Sequence, residues 1–271
     1  MQDKVILVGC GNMGFAMLKG WLESGYLLAS NVHVVEPAQA LRERAENIGV
    51  NVHSDAEDLP QSLKPRMVLV AVKPQVMKDV LPAYRRFAPA ATFVSVAAGI
   101  PVSLFEKCFD EDAAVIRCMP NTPAAIGKGM LVTFANANVS KADAAFVTEL
   151  LKTSGKVTSV DAEALIDVVT AISGSGPAYV FHFIEALSDA GTALGLPRET
   201  ASLLAMQTVM GAGALADLSS DTPARLREQV TSPNGTTAAA LDVLMGEDRL
   251  KKLVTEAAQA AHRRAVELGQ G

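Results

Sequence analysis

Two periodicities divide the chain. Up to about residue 160, short and nearly continuous apolar runs alternate with stretches in which apolar residues recur every three or four positions. The runs are KVILV (4–8), NVHVV (31–35), MVLVAV (67–72), TFVSVA (92–97) and AVIRCM (114–119). Strands without polar alternation, separated by helices, predict a parallel sheet covered on both faces. MLVTFA (130–135), the helical KADAAFVTELLKTSG and KVTSV (156–160) follow, and predict further strands at the sheet edge.

After Asp161 the strand pattern stops and a helical period takes over. Gly195-Leu-Pro197 marks a turn, and Asp221-Thr-Pro223 reads as a capped helix start with proline just inside it. TSPNGTT (231–237) reads as a loop, and the last helix as Arg249 to Leu268. Within 176–194, Val180, Ile184, Leu187, Gly191 and Leu194 form one stripe, expected to be core. His182, Glu185 and Asp189 form the opposite stripe, expected to face solvent or a partner rather than a metal. The fold class is therefore α/β, with a sheet-and-helix domain over 1–160 and an all-α domain over 161–271.

One segment resists this pattern. AISGSGPAYVFHFIEALSDAG (171–191) is helical on both sides of Ser173–Pro177. Glycine inside a helix costs about 1 kcal/mol against alanine, and proline about 3 kcal/mol. An interruption there brings a small-residue backbone within reach of a ligand, or serves the packing of a partner helix.

The glycines of VILVGCGNMG stand directly after a strand and at a helix start. Gly9 suits the tight turn, Gly11 the close approach of a pyrophosphate, and Gly14 the contact of helix with strand. Asn12 and Met13 open the helix, whose free N–H groups favour phosphate. Glu36 closes the second strand, where a carboxylate accepts from a ribose 2′-hydroxyl and repels a 2′-phosphate. That favours NAD, but the nearby Arg42 and Arg44 are able to reach a phosphate, so NADP(H) and NAD(H) both stay open. Ala71, Val72, Lys73 and Pro74, then Ala97, then Asn121 lie at the ends of later strands and are expected near the same coenzyme. Asn121 is equally suited to capping a turn.

The small-residue segments SGSGPAY (173–179) and TSPNGTT (231–237) present N–H and hydroxyl groups suited to a carboxylate. Ser173, Ser175 and Gly176 are candidates in the first, and Ser232, Gly235, Thr236 and Thr237 in the second. No histidine, serine–histidine or cysteine–histidine arrangement supplies an evident acid, which suits an acceptor that arrives protonated.

Composition narrows the class further. The chain of 271 residues is 49% hydrophobic and 20% charged, with net charge −5 and both signs scattered. That is globular, and the absence of a basic run points away from nucleic acid and membrane surfaces towards a small-molecule ligand. Cys10, Cys108 and Cys118 lack metal-ligand spacing and are expected as free thiols; no metal is expected. With no signal peptide and no apolar run of membrane-spanning length evident, the expected location is the cytoplasm.

Together, GCGNMG, AVKPQ, VAAGI, RCMPNTPAAIGKG, ISGSGPAYVFHFIEALSDAGTALGLP and LREQVTSPNGTT resemble, in that order, the Δ1-pyrroline-5-carboxylate reductases. The resemblance implies a Rossmann domain followed by a helical domain that interlocks with a second copy, with dimers commonly assembled into decamers. It implies reduction of a cyclic imine to L-proline with NADPH or NADH. It also implies that Ser232, Gly235 and Thr236 meet the substrate carboxylate and that Thr237 stands by the imine nitrogen. Two departures are visible. Asn234 stands where the loop usually has glycine, and Glu36 where the family often has residues kinder to a 2′-phosphate. Dehydrogenases of the β-hydroxyacid type, which rely on a lysine in the helical half, fit less well, because the lysines after residue 160 are only Lys251 and Lys252. A redox-sensing binding protein would hold dinucleotide without imine-dependent turnover.

Overall fold

A computed structural model describes residues 3–270. Eight strands form one sheet: β1 (Val5–Val8), β2 (Val32–Val35), β3 (Asn51–His53), β4 (Met67–Val70), β5 (Thr92–Ser95), β6 (Val115–Met119), β7 (Gly129–Ala135) and β8 (Gly155–Ser159). Their order is β3-β2-β1-β4-β5-β6-β7-β8. The first six run parallel, β7 returns antiparallel to β6, and β8 runs parallel to β7. The expected parallel sheet is present, with KVTSV at its edge. Two apolar runs, 67–72 and 92–97, outlast their strands, so Ala71, Val72 and Ala97 lie in the loops beyond the carboxyl ends. β3 is not among the apolar runs, because it is three residues long and carries Asn51 and His53.

Helices α1 (Asn12–Glu23), α2 (Gln39–Glu46), α3 (Met77–Val80), α4 (Val102–Phe109) and α5 (Lys141–Lys152) accompany the sheet. One core layer holds Trp21 of α1 with Phe146 and Leu150 of α5, packed with Val5, Leu7 and Leu69. The other holds Tyr84 with Phe105 and Phe109 of α4, packed with Ile6, Val68 and Phe93. Both faces of β1 and β4 are therefore buried in apolar side chains, which is why their sequences show no alternation.

By mutual contact the chain falls into two units: residues up to Ser175 together with those from Ala261 onward, and Gly176–Ala260. The first thus includes α6 (Leu165–Val169) and the turn after it. The second contains α7 (Gly176–Ala193), α8 (Arg198–Leu218), α9 (Pro223–Gln229), α10 (Thr236–Met245) and the start of α11 (Arg249–Gln270). Thr222 caps α9 by accepting from the N–H of Arg225, with Pro223 in the first turn.

The second unit has little interior of its own. α7 and α8 pack through small residues, with Ser188 and Ser202 hydroxyls 2.9 Å apart and a Cβ on Gly191 only 3.1 Å from that of Ala201. The stripe expected to be core is not covered: Val180 and Leu187 are exposed and Leu194 is 88% exposed. Phe181, Phe183, Leu203, Leu204, Met206 and Met210 are exposed as well. The apolar period is present, but the expected burial is not: the stripe is exposed in this chain. The opposite stripe is polar as expected: His182 meets Glu185 at 3.1 Å, and Asp189 pairs with Arg198. No metal-ligand cluster occurs among the described residues. α8 is long and apolar enough to cross a membrane by length and composition, which corrects the expectation that no segment reaches that length. Its Arg198, Glu199 and Asp217 sit at its ends and leave an uncharged middle. A helix covered by another protein surface has the same composition.

Candidate active site

The carboxyl ends of β1, β4, β5 and β6 open on one edge of the sheet. At that edge Gly9 turns the chain with φ +85, and its N–H donates to Val35 O at 2.8 Å. A Cβ on Gly14 would lie 2.3 Å from Gly9 O, so α1 can pack this close to the strand only without one. A Cβ on Gly11 would meet nothing within 4 Å. Gly11 therefore faces open space where the first turn of α1 begins, with no side-chain hydrogen bond capping that helix. This cradle fits a pyrophosphate: room at Gly11, free N–H groups at Asn12 and Met13, and the positive end of a helix dipole.

The neighbouring loops are tied to the same edge. Ala71 N donates to Val8 O at 2.7 Å, and Val72 packs within 2.9 Å of the position a Gly9 Cβ would take. Lys73 is exposed just before Pro74, and Ala97 is buried. Glu36 lies one residue beyond β2, 6% exposed, with Oε2 accepting from Cys10 N at 2.7 Å and Oε1 from Ala38 N at 3.0 Å. Arg44 donates to Cys10 O at 2.6 Å and stacks over Phe15, its guanidinium carbon 4.0 Å from the ring centre. Burial pushes the Cys10 thiol up to about 11, partly opposed by Arg44, so it is no nucleophile at neutral pH.

Asn121 follows β6. Its Nδ2 donates to Ser173 O at 3.0 Å, and its Oδ1 accepts from Met130 N at 2.9 Å. Ser173 belongs to the Ser-Gly-Ser-Gly-Pro segment, which does not break the helix there. Residues Thr170–Gly174 form a π-helical turn, in which Ser175 N reaches back to Thr170 O at 2.8 Å. The turn follows α6 directly, and α7 starts at Gly176 with Pro177 admitted in its first turn. Single π turns cluster at functional sites because they redirect side chains and carbonyls without ending the helix. A Cβ on Gly174 would come 3.3 Å from Met119 Sδ, and one on Gly176 would meet nothing within 4 Å.

Beneath this turn lies a network that the motif reading did not single out. Arg117, 4% exposed within β6, donates to Glu163 at 2.8 Å and contacts Asp167 at 3.3 Å. Glu163 also accepts from Val102 N at 2.8 Å. A charge in the middle of an otherwise apolar strand was the available signal, since a buried guanidinium needs carboxylate partners.

In the second unit, Ser232, Gly235, Thr236 and Thr237 share one turn leading into α10. Asn234 takes φ 58, so it adopts the left-handed conformation that glycine would fill. Gly235 N donates to Ser232 O at 3.0 Å, and a Cβ on Gly235 would clash with Ser232 Oγ at 2.6 Å. Thr236 and Thr237 occupy the first turn of α10, which no side chain caps. The glycine-loop residues, Asn121 and Ser173 belong to the first unit, and Ser232–Thr237 to the second.

The strand order β3-β2-β1-β4-β5-β6, the glycine turn after β1 and the open side of Gly11 define a dinucleotide-binding fold. Residues 163–268 match the family model described as pyrroline-5-carboxylate reductase dimerisation, and 4–99 match the one described as NADP oxidoreductase coenzyme F420-dependent. A pyrroline-5-carboxylate reductase of Pseudomonas aeruginosa is 40% identical, covering 98% of this chain and 97% of its own length. The solved pyrroline-5-carboxylate reductase of Coxiella burnetii superposes with TM-score 0.92 at 34% identity, covering 99% of both chains. A pyrroline carboxylate reductase of Plasmodium falciparum, solved with NADP bound, superposes with TM-score 0.85 at 29% identity, covering 99% of both. This chain belongs to the pyrroline-5-carboxylate reductase family.

Proposed function

We propose that the chain reduces the C=N bond of 1-pyrroline-5-carboxylate to give L-proline. The observation that carries this reading is that the relationship spans both units, so the glycine cradle and the Ser232–Thr237 turn both fall within it. A bound nicotinamide dinucleotide, NADH or NADPH, supplies the hydride. Gly9, Gly11, Asn12, Met13 and Gly14 hold its pyrophosphate, and Glu36, the Ala71–Pro74 loop, Ala97 and Asn121 complete its site. Residues 1–160 carry this task, and 161–271 bind substrate and pair subunits.

Ser232, Gly235 and Thr236 hold the substrate carboxylate at the start of α10, where N–H groups and dipole favour an anion. Ser173, Ser175 and Gly176 line the ring with small side chains and main chain. The Thr237 hydroxyl orients the imine nitrogen. No residue of the chain needs to deliver a proton, because a protonated imine is already electrophilic at carbon. Positioning of this kind can lower a barrier by several kcal/mol.

The exposed apolar faces of α7 and α8 support pairing of two copies through the helical unit, and we infer a homodimer that assembles further, up to a decamer. Cys10, Cys108 and Cys118 are free, which supports a reducing, cytoplasmic setting. Absorbance of the reduced coenzyme, followed with and without added pyrroline-5-carboxylate, tests the reading. Oxidation that depends on the imine and yields proline is expected; a trace indifferent to the imine would refute it.

A further inference from the structure

We propose that Arg117 is a positioning residue of the imine site: from inside β6 its guanidinium fixes, through Glu163 and Asp167, the π turn that presents Ser173 and Ser175. The inference rests on the reductase reading and deepens it. The helix that leads into the turn has little apolar hold of its own. α6 is five residues long and fully buries only Ile166, which clusters with Met119 and Val132 while Val169 packs beside them. Leu165 and Val168 are exposed. Apolar contact is non-directional, so one anchor leaves a short helix free to slide or rotate on the sheet.

The charges supply the direction. Arg117 Nη1 donates to Glu163 Oε1 at 2.8 Å, and Nη2 donates to Asp167 Oδ1 at 3.3 Å. Nε has no partner among the described residues, so the two terminal nitrogens carry the whole contact. They serve one carboxylate just before α6 and one within it, and a shift of α6 that suits one breaks the other. Glu163 Oε1 also accepts from Val102 N at 2.8 Å, which ties the start of α4 to the same point. From α6 the hold passes into the turn. Thr170 Oγ1 donates to Ile166 O at 2.8 Å, Ser173 Oγ to Val169 O at 3.3 Å, and Ser175 N to Thr170 O at 2.8 Å. Arg117 is only 4% exposed and engaged on both terminal nitrogens, so it acts through the turn and not by touching substrate. A buried ion pair adds little net stability, and its best-attested use is to fix register.

The test compares Arg117→Lys and Asp167→Ala with the intact parent protein. An ammonium is a point donor and does not reproduce the planar fork that spans two carboxylates. Asp167→Ala leaves the Glu163 pair in place and puts a better helix former in α6, which keeps the test open should Arg117→Lys fold poorly. In both variants kcat/KM for the imine is expected to fall roughly tenfold or more. Coenzyme affinity, titrated by fluorescence without imine, should stay within about twofold of the parent. Hydrogen exchange at the Ser175 amide, read without substrate, should quicken at least tenfold, while the amides of the glycine turn keep their parent rates. A lower melting temperature with parent kcat/KM would make the network merely structural and overturn the proposal. Parent exchange at Ser175 in both folded variants would overturn it too. Failure of the reductase reading looks different: the Ser175 amide would still loosen in the variants, yet the parent itself would show no imine-dependent oxidation of coenzyme.

Discussion

The side-chain amide of Asn121 holds the carbonyl of Ser173 at 3.0 Å across 52 residues of sequence. Its oxygen takes the N–H of Met130 at 2.9 Å. One side chain thus joins the end of β6, the start of β7 and the π turn. Replacing Asn121 by Leu leaves a carbonyl and an N–H unpaired in a partly buried place, at about 1–3 kcal/mol each when no water reaches them. Chemical denaturation of Asn121→Leu should show a loss in that range, and both coenzyme affinity and turnover should fall, because Ser173 is released and the end of β6 loosens. Unchanged stability with normal turnover would refute this.

The three glycines of the cradle should respond differently to the same methyl group. Gly14→Ala drives a Cβ to 2.3 Å from Gly9 O, so the loop must shift, at about 1–3 kcal/mol. Gly11→Ala meets no protein atom within 4 Å. Its melting temperature should stay within about 2 °C of the parent, while coenzyme affinity falls at least tenfold, because the methyl occupies the ligand's space. Thermal melts paired with coenzyme titrations separate the two. Equal melting losses in both variants would contradict the assignment of Gly11 to ligand and Gly14 to packing.

This contrast also shows what could be read before the structure. Each cradle glycine answers a local need of the backbone or of one close contact, so a ten-residue window suffices. The strands were legible for the same reason: β1 and β4 are buried on both faces and spell this out in valine, leucine and isoleucine. β3 was not among the runs, since three residues with polar ends carry no such pattern. The bond from Asn121 to Ser173 and the ion pairs of Arg117 depend on residues about 50 positions away, and no local spacing encodes them. Ser173–Pro177 looked like a broken helix because residue propensities describe α-helix, whereas one i to i+5 bond at Thr170 carries the chain through. The stripe on α7 has the expected period, but period alone does not say whether a face is buried within its own chain.

Thr237 and Asn234 share a turn but should fail separately. Thr237→Ala keeps the first turn of α10 and removes the orienting hydroxyl; turnover should drop about ten- to a hundredfold, with coenzyme affinity nearly intact. Asn234→Ala puts a side chain at φ 58 without the local hydrogen bonding that lets asparagine tolerate it, at about 1 kcal/mol. Asn234→Gly should restore stability and substrate KM together. Steady-state kinetics alongside denaturation distinguishes the pair, and loss of coenzyme binding in Thr237→Ala would remove that residue from the proposed role.

His33 and His53 stack with Nδ1 and Nε2 3.0 Å apart, and the pair should lower stability as the solution turns acid. Burial pushes His33 down to about 4, helped by His53 and Lys4, and burial also lowers His53. A folded-state value below the unfolded 6.5 means that the unfolded chain binds the proton first. Stability is therefore whole above pH 6.5 and declines as pH falls towards 4. The contribution of His33 between pH 7 and 5 is about 1–2 kcal/mol. Asp143, held below its ordinary 3.8 by Ser140 and Arg66, acts only in more acid solution and leaves this window clear. Denaturation at pH 7 and 5 should show a smaller decline in His33→Gln than in the parent. If both lose the same amount, the acid sensitivity belongs to other groups and the neutral pair is a packing contact without thermodynamic weight.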